Sequence, residues 1–161
     1  MRMRLVETRD MTEILKIVPY EVTIRQEGRD KKPLKDMLSF LKRKLETDPA
    51  FHAVFAYDKA ENLTAYAFFT LSQYADDKNL DLYRIWHDSN HPNGLTNLVK
   101  TIKQIGKKYH LDSITATAQS REMVQIAKEW GFRTAGIIME RKFYDRRRTS
   151  PYAGVKNTVN R

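Results

Sequence analysis

Cysteine is missing from all 161 residues. Disulfides and thiolate metal sites are therefore excluded, and the redox compartment stays open. Histidine is scarce, and His52, His87, His91 and His110 show no zinc-motif spacing. His87 and His91 lie four apart, but Asn90 before His91 and Pro92 after it disfavour a shared helix face, so no metal site is expected. No run approaches the roughly 18 apolar residues of a membrane span. The opening residues, MRMRLVETRD, lack the apolar stretch of a signal peptide. Internal repeats and low-complexity segments are absent too. Together these absences lead to the expectation of a cytoplasmic protein.

What is present fits one domain. A chain of this length buries roughly 70% of its unfolded surface, and an apolar fraction of 41% supports a core. The net charge is +9 and unevenly spread. Arg141–Arg161 holds seven basic residues, Arg141, Lys142, Arg146, Arg147, Arg148, Lys156 and Arg161, against one acid, Asp145. Hydrophobicity falls abruptly at Tyr144–Arg148. The expected domain is therefore 1–143, and 144–161 is a basic arm or tail, in which Val155–Val159 could still pair as a short strand. Such an arm is either solvated or a contact for nucleic acid or an acidic protein surface.

The element pattern begins with a strand over Met3–Thr8. A helix follows, capped by Asp10 or Thr12, with Ile14, Leu15, Ile17 and Val18 on its apolar side and ended or kinked by Pro19. Glu27–Lys32 is a charged loop around Gly28. Pro33 suits the first turn of a second helix, on which Leu34, Met37, Leu38, Leu41 and Leu45 form one apolar stripe. Asp48-Pro49 closes it. Phe51–Asp58 and Leu63–Ser72, joined by a short polar link, predict an antiparallel hairpin. Tyr74–Asn79 reads as a turn and Asp81–Asp88 as the next strand.

The stretch from Leu80 to Phe132 organises the rest. After the strand comes a turn-rich loop, Ser89–Gly94. Leu95–His110 follows as a helix with Leu95, Leu98, Val99, Ile102 and Ile105 on one face. Ser113–Ala118 is a strand, Glu122–Trp130 a helix stopped by Gly131, and Arg133–Phe143 a last core strand. A loop that hands a strand end to a helix N-terminus offers backbone N–H groups at the positive end of the helix dipole, which suits an anion. A central hairpin followed by two strand–helix units predicts an α+β, mixed α/β domain.

This order of elements resembles the GNAT superfamily of N-acetyltransferases over about residues 3–143. The acyl-CoA loop of that family reads Arg or Gln, two residues, Gly, one residue, then Gly or Ala. The matching segment here is His91-Pro92-Asn93-Gly94-Leu95-Thr96. Gly94 is kept, His91 replaces the Arg or Gln, and Thr96 replaces the small residue. The helix before the last core strand matches at Gly131-Phe132. Ser120 stands for the usual capping Asn, and Ala127 stands where many members carry the Tyr that protonates the leaving thiolate.

The resemblance implies a central, mostly antiparallel twisted sheet of about six strands flanked by four helices. It implies acetyl-CoA as cofactor and a small-molecule or protein amine as acceptor. Backbone groups at the end of Tyr83–Asp88, Trp86 among them, would hold the pantetheine arm. His91, Asn93, Gly94, Leu95, Thr96 and Ser120 would border the pyrophosphate. An amine attacks a thioester without a nucleophilic side chain, so the chemistry needs a base and an oxyanion donor. His87 is the first base candidate, because an imidazole titrates near neutrality, and Asp88 is the second. The structural alternative for His87 is a strand-end histidine bonded to a loop carbonyl. Tyr83 or Tyr109 could supply the missing acid. The competing expectation is an inactive GNAT-fold binding or assembly module, possible in a phage virion, that uses its basic arm and could be oligomeric.

Overall fold

A computed structural model describes residues 4–134, apart from 92, 118–120 and 130. The first strand, β1, spans Arg4–Thr8. Asp10 then caps α1, Met11–Ile14, by accepting the Thr12 N–H at 2.9 Å. The path to α2, Val18–Gln26, runs through one 3-10 turn, Leu15–Ile17. Pro19 explains that turn. The Leu15 carbonyl would take the N–H of residue 19 in an α-helix, but proline has none, so it accepts from Val18 instead.

The second amphipathic helix, α3, spans Leu34–Thr47, with Met37 and Leu41 buried. Pro33 is its N-cap rather than a residue of its first turn. Arg9 reaches across to the C-terminal end of α3 and donates to the Leu45 and Asp48 carbonyls at 2.7 and 3.0 Å. A cation there also suits the helix dipole.

The hairpin forms as expected, with β2 at Phe51–Tyr57 and β3 at Leu63–Tyr74, antiparallel. The next strand, β4, is longer than its apolar pattern suggested and spans Asp77–His87. The predicted turn over Tyr74–Asn79 shrinks to Ala75-Asp76, with Ala75 at φ 53°. Asp77, Lys78 and Asn79 look like loop residues, yet they pair with Tyr74, Gln73 and Ser72. Asp77 and Lys78 are exposed, so the ladder carries polar side chains there without loss. Helix α4, Gly94–Lys108, leads to β5, Ser113–Ala116. The strands lie in the order β1-β2-β3-β4-β5, antiparallel throughout except for the parallel β4–β5 pair.

Strand alternation divides the apolar residues between two faces. Phe51, Phe55, Tyr57, Tyr66 and Phe68 pack with Ile14, Ile17, Met37 and Leu41. On the other face Val54, Ala56, Ala65, Ala67, Phe69 and Leu80 pack with Leu98 and Ile102 of α4.

The described residues fall into two compact units, divided between Thr117 and Ala118. In the second, α5 spans Arg121–Glu129. It closes as the Gly131-Phe132 pair predicts. Gly131 takes φ +84°, its N–H donates to Lys128 O at 2.9 Å, and Phe132 N–H donates to Ala127 O at 3.0 Å. Ser120, nearly all of the strand expected at 133–143, and the arm at 144–161 lie outside the described residues. The result is a mixed α/β fold with five strands described. No helix among the described residues is long and apolar enough to cross a membrane.

Candidate cofactor-binding site

The parallel strands β4 and β5 are tied at one end and open at the other. At the start, Asp112 N–H donates to Lys78 O at 2.7 Å and Lys78 N–H to Asp112 Oδ2 at 2.9 Å. Pairing then runs from Asn79↔Ser113 to Leu82↔Ala116. β4 continues to His87 with β3 as its partner. Its other edge, over Tyr83–His87, has no strand partner among the described residues. An edge of unpaired peptide groups can accept an extended chain that itself carries amides.

A bulge marks the point of parting. The β3–β4 register shifts between Phe68↔Arg84 and Phe69↔Leu82, so Tyr83 is the extra residue. A bulge takes one residue out of the ladder and re-aims its neighbours. Here Tyr83 stacks on Phe40 of α3 at 4.6 Å, while the adjacent Arg84 reaches α2.

Arg84 ends in a buried ion network. Its Nε and Nη2 donate to Glu21 Oε1 and Oε2 at 3.1 and 2.7 Å, and its Nη1 to Asp30 Oδ2 at 3.0 Å. Glu21 is 0% exposed. It also accepts from Arg25 Nη1 at 2.6 Å and from the Tyr66 hydroxyl. Burial first, and then the Glu21 charge, push the Tyr66 phenol far up. Burial alone would raise the Asp30 carboxyl, but the Lys32 N–H and the Arg84 and Arg25 charges outweigh it and hold it below its ordinary value. Two cations and two carboxylates thus balance beside the bulge.

The loop from β4 to α4 is built of tight turns. Asp88 N–H donates to Thr64 O at 2.7 Å, Asn90 N–H to Asp88 Oδ1 at 2.9 Å, and His91 N–H to Asp88 O at 3.0 Å. Gly94 N–H donates to His91 O at 3.1 Å. The first intrahelical bond of α4 is Asn97 N–H to Asn93 O at 3.0 Å. The Leu95 and Thr96 N–H groups precede it, and the Asn93 side chain makes no capping bond. Such donors have no acceptor within the helix itself, among the described residues neither donates to a backbone acceptor outside it, and the first turn carries no acid. An open strand edge followed by such a turn suits a ligand with an extended amide arm and a diphosphate.

The sequence-predicted residues fall as follows. Asn93 and Thr96 are exposed, Leu95 is half-buried and Gly94 is buried at the start of α4. The indole of Trp86 is engaged by Tyr20 and Tyr66, at 4.5 and 5.2 Å, so only its main chain belongs to the open edge. His91 Nε2 lies 3.7 Å from Asp58 Oδ2. His87 Nδ1 lies 3.3 Å from the Asp88 carbonyl. A carbonyl only accepts, so this contact puts the proton on Nδ1 and leaves the lone pair on Nε2. Asp88 Oδ1 receives the Asn90 N–H. Tyr109 follows the last residue of α4, about 22 Å along the axis from Gly94, whereas Tyr83 lies on the open edge. Ser120 lies outside the described residues. Among those residues no group of three or more His, Asp or Glu could hold a metal.

The Glu21–Arg84 network and the Asp58–His91 pair were not anticipated. The break in alternation at Tyr83-Arg84, where two polar-ended residues sit between apolar neighbours, was the available signal for the first.

No curated protein matches the sequence. Solved structures of the same fold do. A predicted acetyltransferase from Clostridium acetobutylicum, solved with acetyl-CoA, is 17% identical with a TM-score of 0.66, over 88% of this chain and 96% of that one. Ribosomal-protein-alanine N-acetyltransferase from Brucella melitensis is 11% identical with a TM-score of 0.68, over 89% and 100%. An aminoglycoside antibiotic 6'-N-acetyltransferase from Acinetobacter baumannii is 11% identical with a TM-score of 0.67, over 89% and 99%. The family model for the acetyltransferase (GNAT) domain matches residues 3–149, and the chain belongs to that family.

Proposed function

We propose that the protein transfers an acetyl group from acetyl-CoA to the nitrogen of an amine. One observation carries this reading. β4 and β5 part after Leu82↔Ala116, and the strand that parts leads into a helix whose first N–H groups precede its first internal bond. The cofactor supplies an acetyl group activated as a thioester. The peptide groups of Tyr83–His87 hold its amide arm, and the Leu95 and Thr96 N–H groups take the diphosphate. The Thr96 hydroxyl is a further donor. The bulged peptide at Tyr83 is the candidate for steadying charge on the thioester oxygen. His87 Nε2 receives the proton of the attacking amine, with Asp88 as the second candidate. The Tyr83 phenol, raised by burial above all, stays protonated at neutral pH and donates to the departing sulfur.

The test is thermal. At about 100 times its Kd, acetyl-CoA should stabilise the fold by about 2.7 kcal/mol, or about 5–10 °C. Thr96→Glu puts a carboxylate where the diphosphate belongs. Thr96 is exposed and acids suit a helix start, so the variant should fold normally and lose the shift. A wild-type protein unmoved by millimolar acetyl-CoA would sink the reading.

A second reading, a GNAT-fold module without turnover, is favoured by Ala127 in the position of the family's Tyr. It gives the thermal shift without release of free thiol. In that reading the basic segment 141–161 docks on protein subunits, a virion among them, or on nucleic acid. Its deletion should then abolish salt-sensitive binding.

A further inference from the structure

The loop ahead of α4 is held from outside as well as from within. One hydrogen bond joins it to the start of β3, and one ion-pair contact joins it to the β2–β3 turn. Asp88 N–H donates to Thr64 O at 2.7 Å, and His91 Nε2 lies 3.7 Å from Asp58 Oδ2. Asp58 is a fixed point. Its Oδ1 accepts from Ala60 N–H at 2.8 Å and Asn62 N–H at 2.9 Å, and its Oδ2 from Asn62 Nδ2 at 3.1 Å. Those bonds, with Asn62 first, hold its carboxyl below the ordinary range, so it is anionic across neutral pH. His91 in turn supplies the carbonyl that receives the Gly94 N–H. Whatever fixes His91 therefore fixes the entry to the helix and the aim of its first amides.

We propose that Asp58 is a positioning residue for acetyl-CoA capture, which through a cationic His91 holds the loop before Gly94 with its amides turned to the diphosphate. This rests on the acetyl-CoA reading of the site. Among the described residues, the charged and titratable groups on the elements beside the loop are these. Asp58 comes from the β2–β3 turn, beside the exposed Lys59, and His87 and Asp88 come from the end of β4. From α2 comes Tyr20, whose phenol is raised by burial and then by the Asp88 and Asp58 charges. Tyr20 stays neutral at neutral pH, so the anion that faces the His91 ring is Asp58. An imidazole changes charge between about pH 5 and 8, so the hold is present at the acid end of that window and absent at the alkaline end.

The experiment is calorimetric titration of acetyl-CoA into the wild type, Asp58→Asn and His91→Gln at pH 5.5, 7.0 and 8.5. The amide oxygen of Asp58→Asn can still receive the Ala60 and Asn62 N–H groups, so the turn is kept. Titration of the ligand's own phosphate cancels in the ratio of variant to wild type. Loss of a partly exposed ion pair predicts an Asp58→Asn Kd about threefold above wild type at pH 5.5, falling to parity at pH 8.5. In steady state, KM for acetyl-CoA should rise by the same factor with kcat unchanged. His91→Gln should show the same convergence. A Kd ratio that is flat with pH in both variants overturns the role of Asp58 while leaving acetyl-CoA binding intact. Absence of binding by the wild type overturns the site reading, and this inference with it.

Discussion

Replacing Arg84 by Met tests the buried network directly. The substitution keeps an unbranched aliphatic stem beside the bulge and removes three hydrogen bonds, two to Glu21 and one to Asp30. Glu21 then remains fully buried, with Arg25 and the Tyr66 hydroxyl as its remaining side-chain partners among the described residues. Removing one member of a buried ion pair typically costs 3–5 kcal/mol. Because Arg25 still faces Glu21 at 2.6 Å, the lower end applies, about 3 kcal/mol. For a chain of this length that is about 6–12 °C of Tm. Glu21→Gln supplies the control. Alone it leaves Arg84 partly unpaired and should destabilise the fold. In the Arg84→Met background the neutral amide needs no cation, so it should cost little or restore stability. Differential scanning calorimetry of the four proteins gives the cycle. Equal cost of Glu21→Gln in both backgrounds, or an Arg84→Met Tm within 2 °C of wild type, would refute the reasoning.

Two further predictions concern pH. The Asp30 carboxyl is held below 3.8, so its stabilising contribution is complete above that value and is lost as pH falls through the lower folded value. Asp30→Asn should therefore flatten the fall of Tm below about pH 4, while a curve parallel to wild type argues against the pairing. Burial, followed by the hydrogen bond to Glu13, pushes the Tyr57 phenol up to about 12. Its contribution is complete below pH 10 and lost as pH rises through 12. Ultraviolet titration should show a late-ionising phenol that Tyr57→Phe removes; an unchanged late component would assign it elsewhere.

Much of the fold was legible because it is local. The i, i+3, i+4 stripe of α3, the aromatic hairpin strands and the Gly131 stop each declare themselves within a few residues. The full length of β4 was not, since Asp77–Asn79 pair along the backbone while their side chains resemble a loop. In VPYEVTIRQ, Glu21 reads as a surface charge, and Tyr66 and Arg84, both far away in the chain, join Arg25 in enclosing it. Asp58 and His91 likewise meet by folding. Periodicity tells which face a residue occupies, not which distant charge will meet it there. The anion-suited turn before Gly94 was visible because a strand end, a glycine and a helix stripe adjoin in sequence. Its outer support was invisible for the opposite reason.

The alanines beneath α4 carry a mechanical consequence. Ala56, Ala65 and Ala67 share the cluster that seats Leu98 and Ile102. Val54, Phe69 and Leu80 complete the floor beneath the helix, and the three alanines, with single methyl groups, are its shallowest points. Ala67→Val would lift that floor by the size of added methyls and tilt the whole rod, carrying Leu95 and Thr96 with it. The aim of the first amides of α4 is thus adjustable from the interior, by residues of the sheet beneath it.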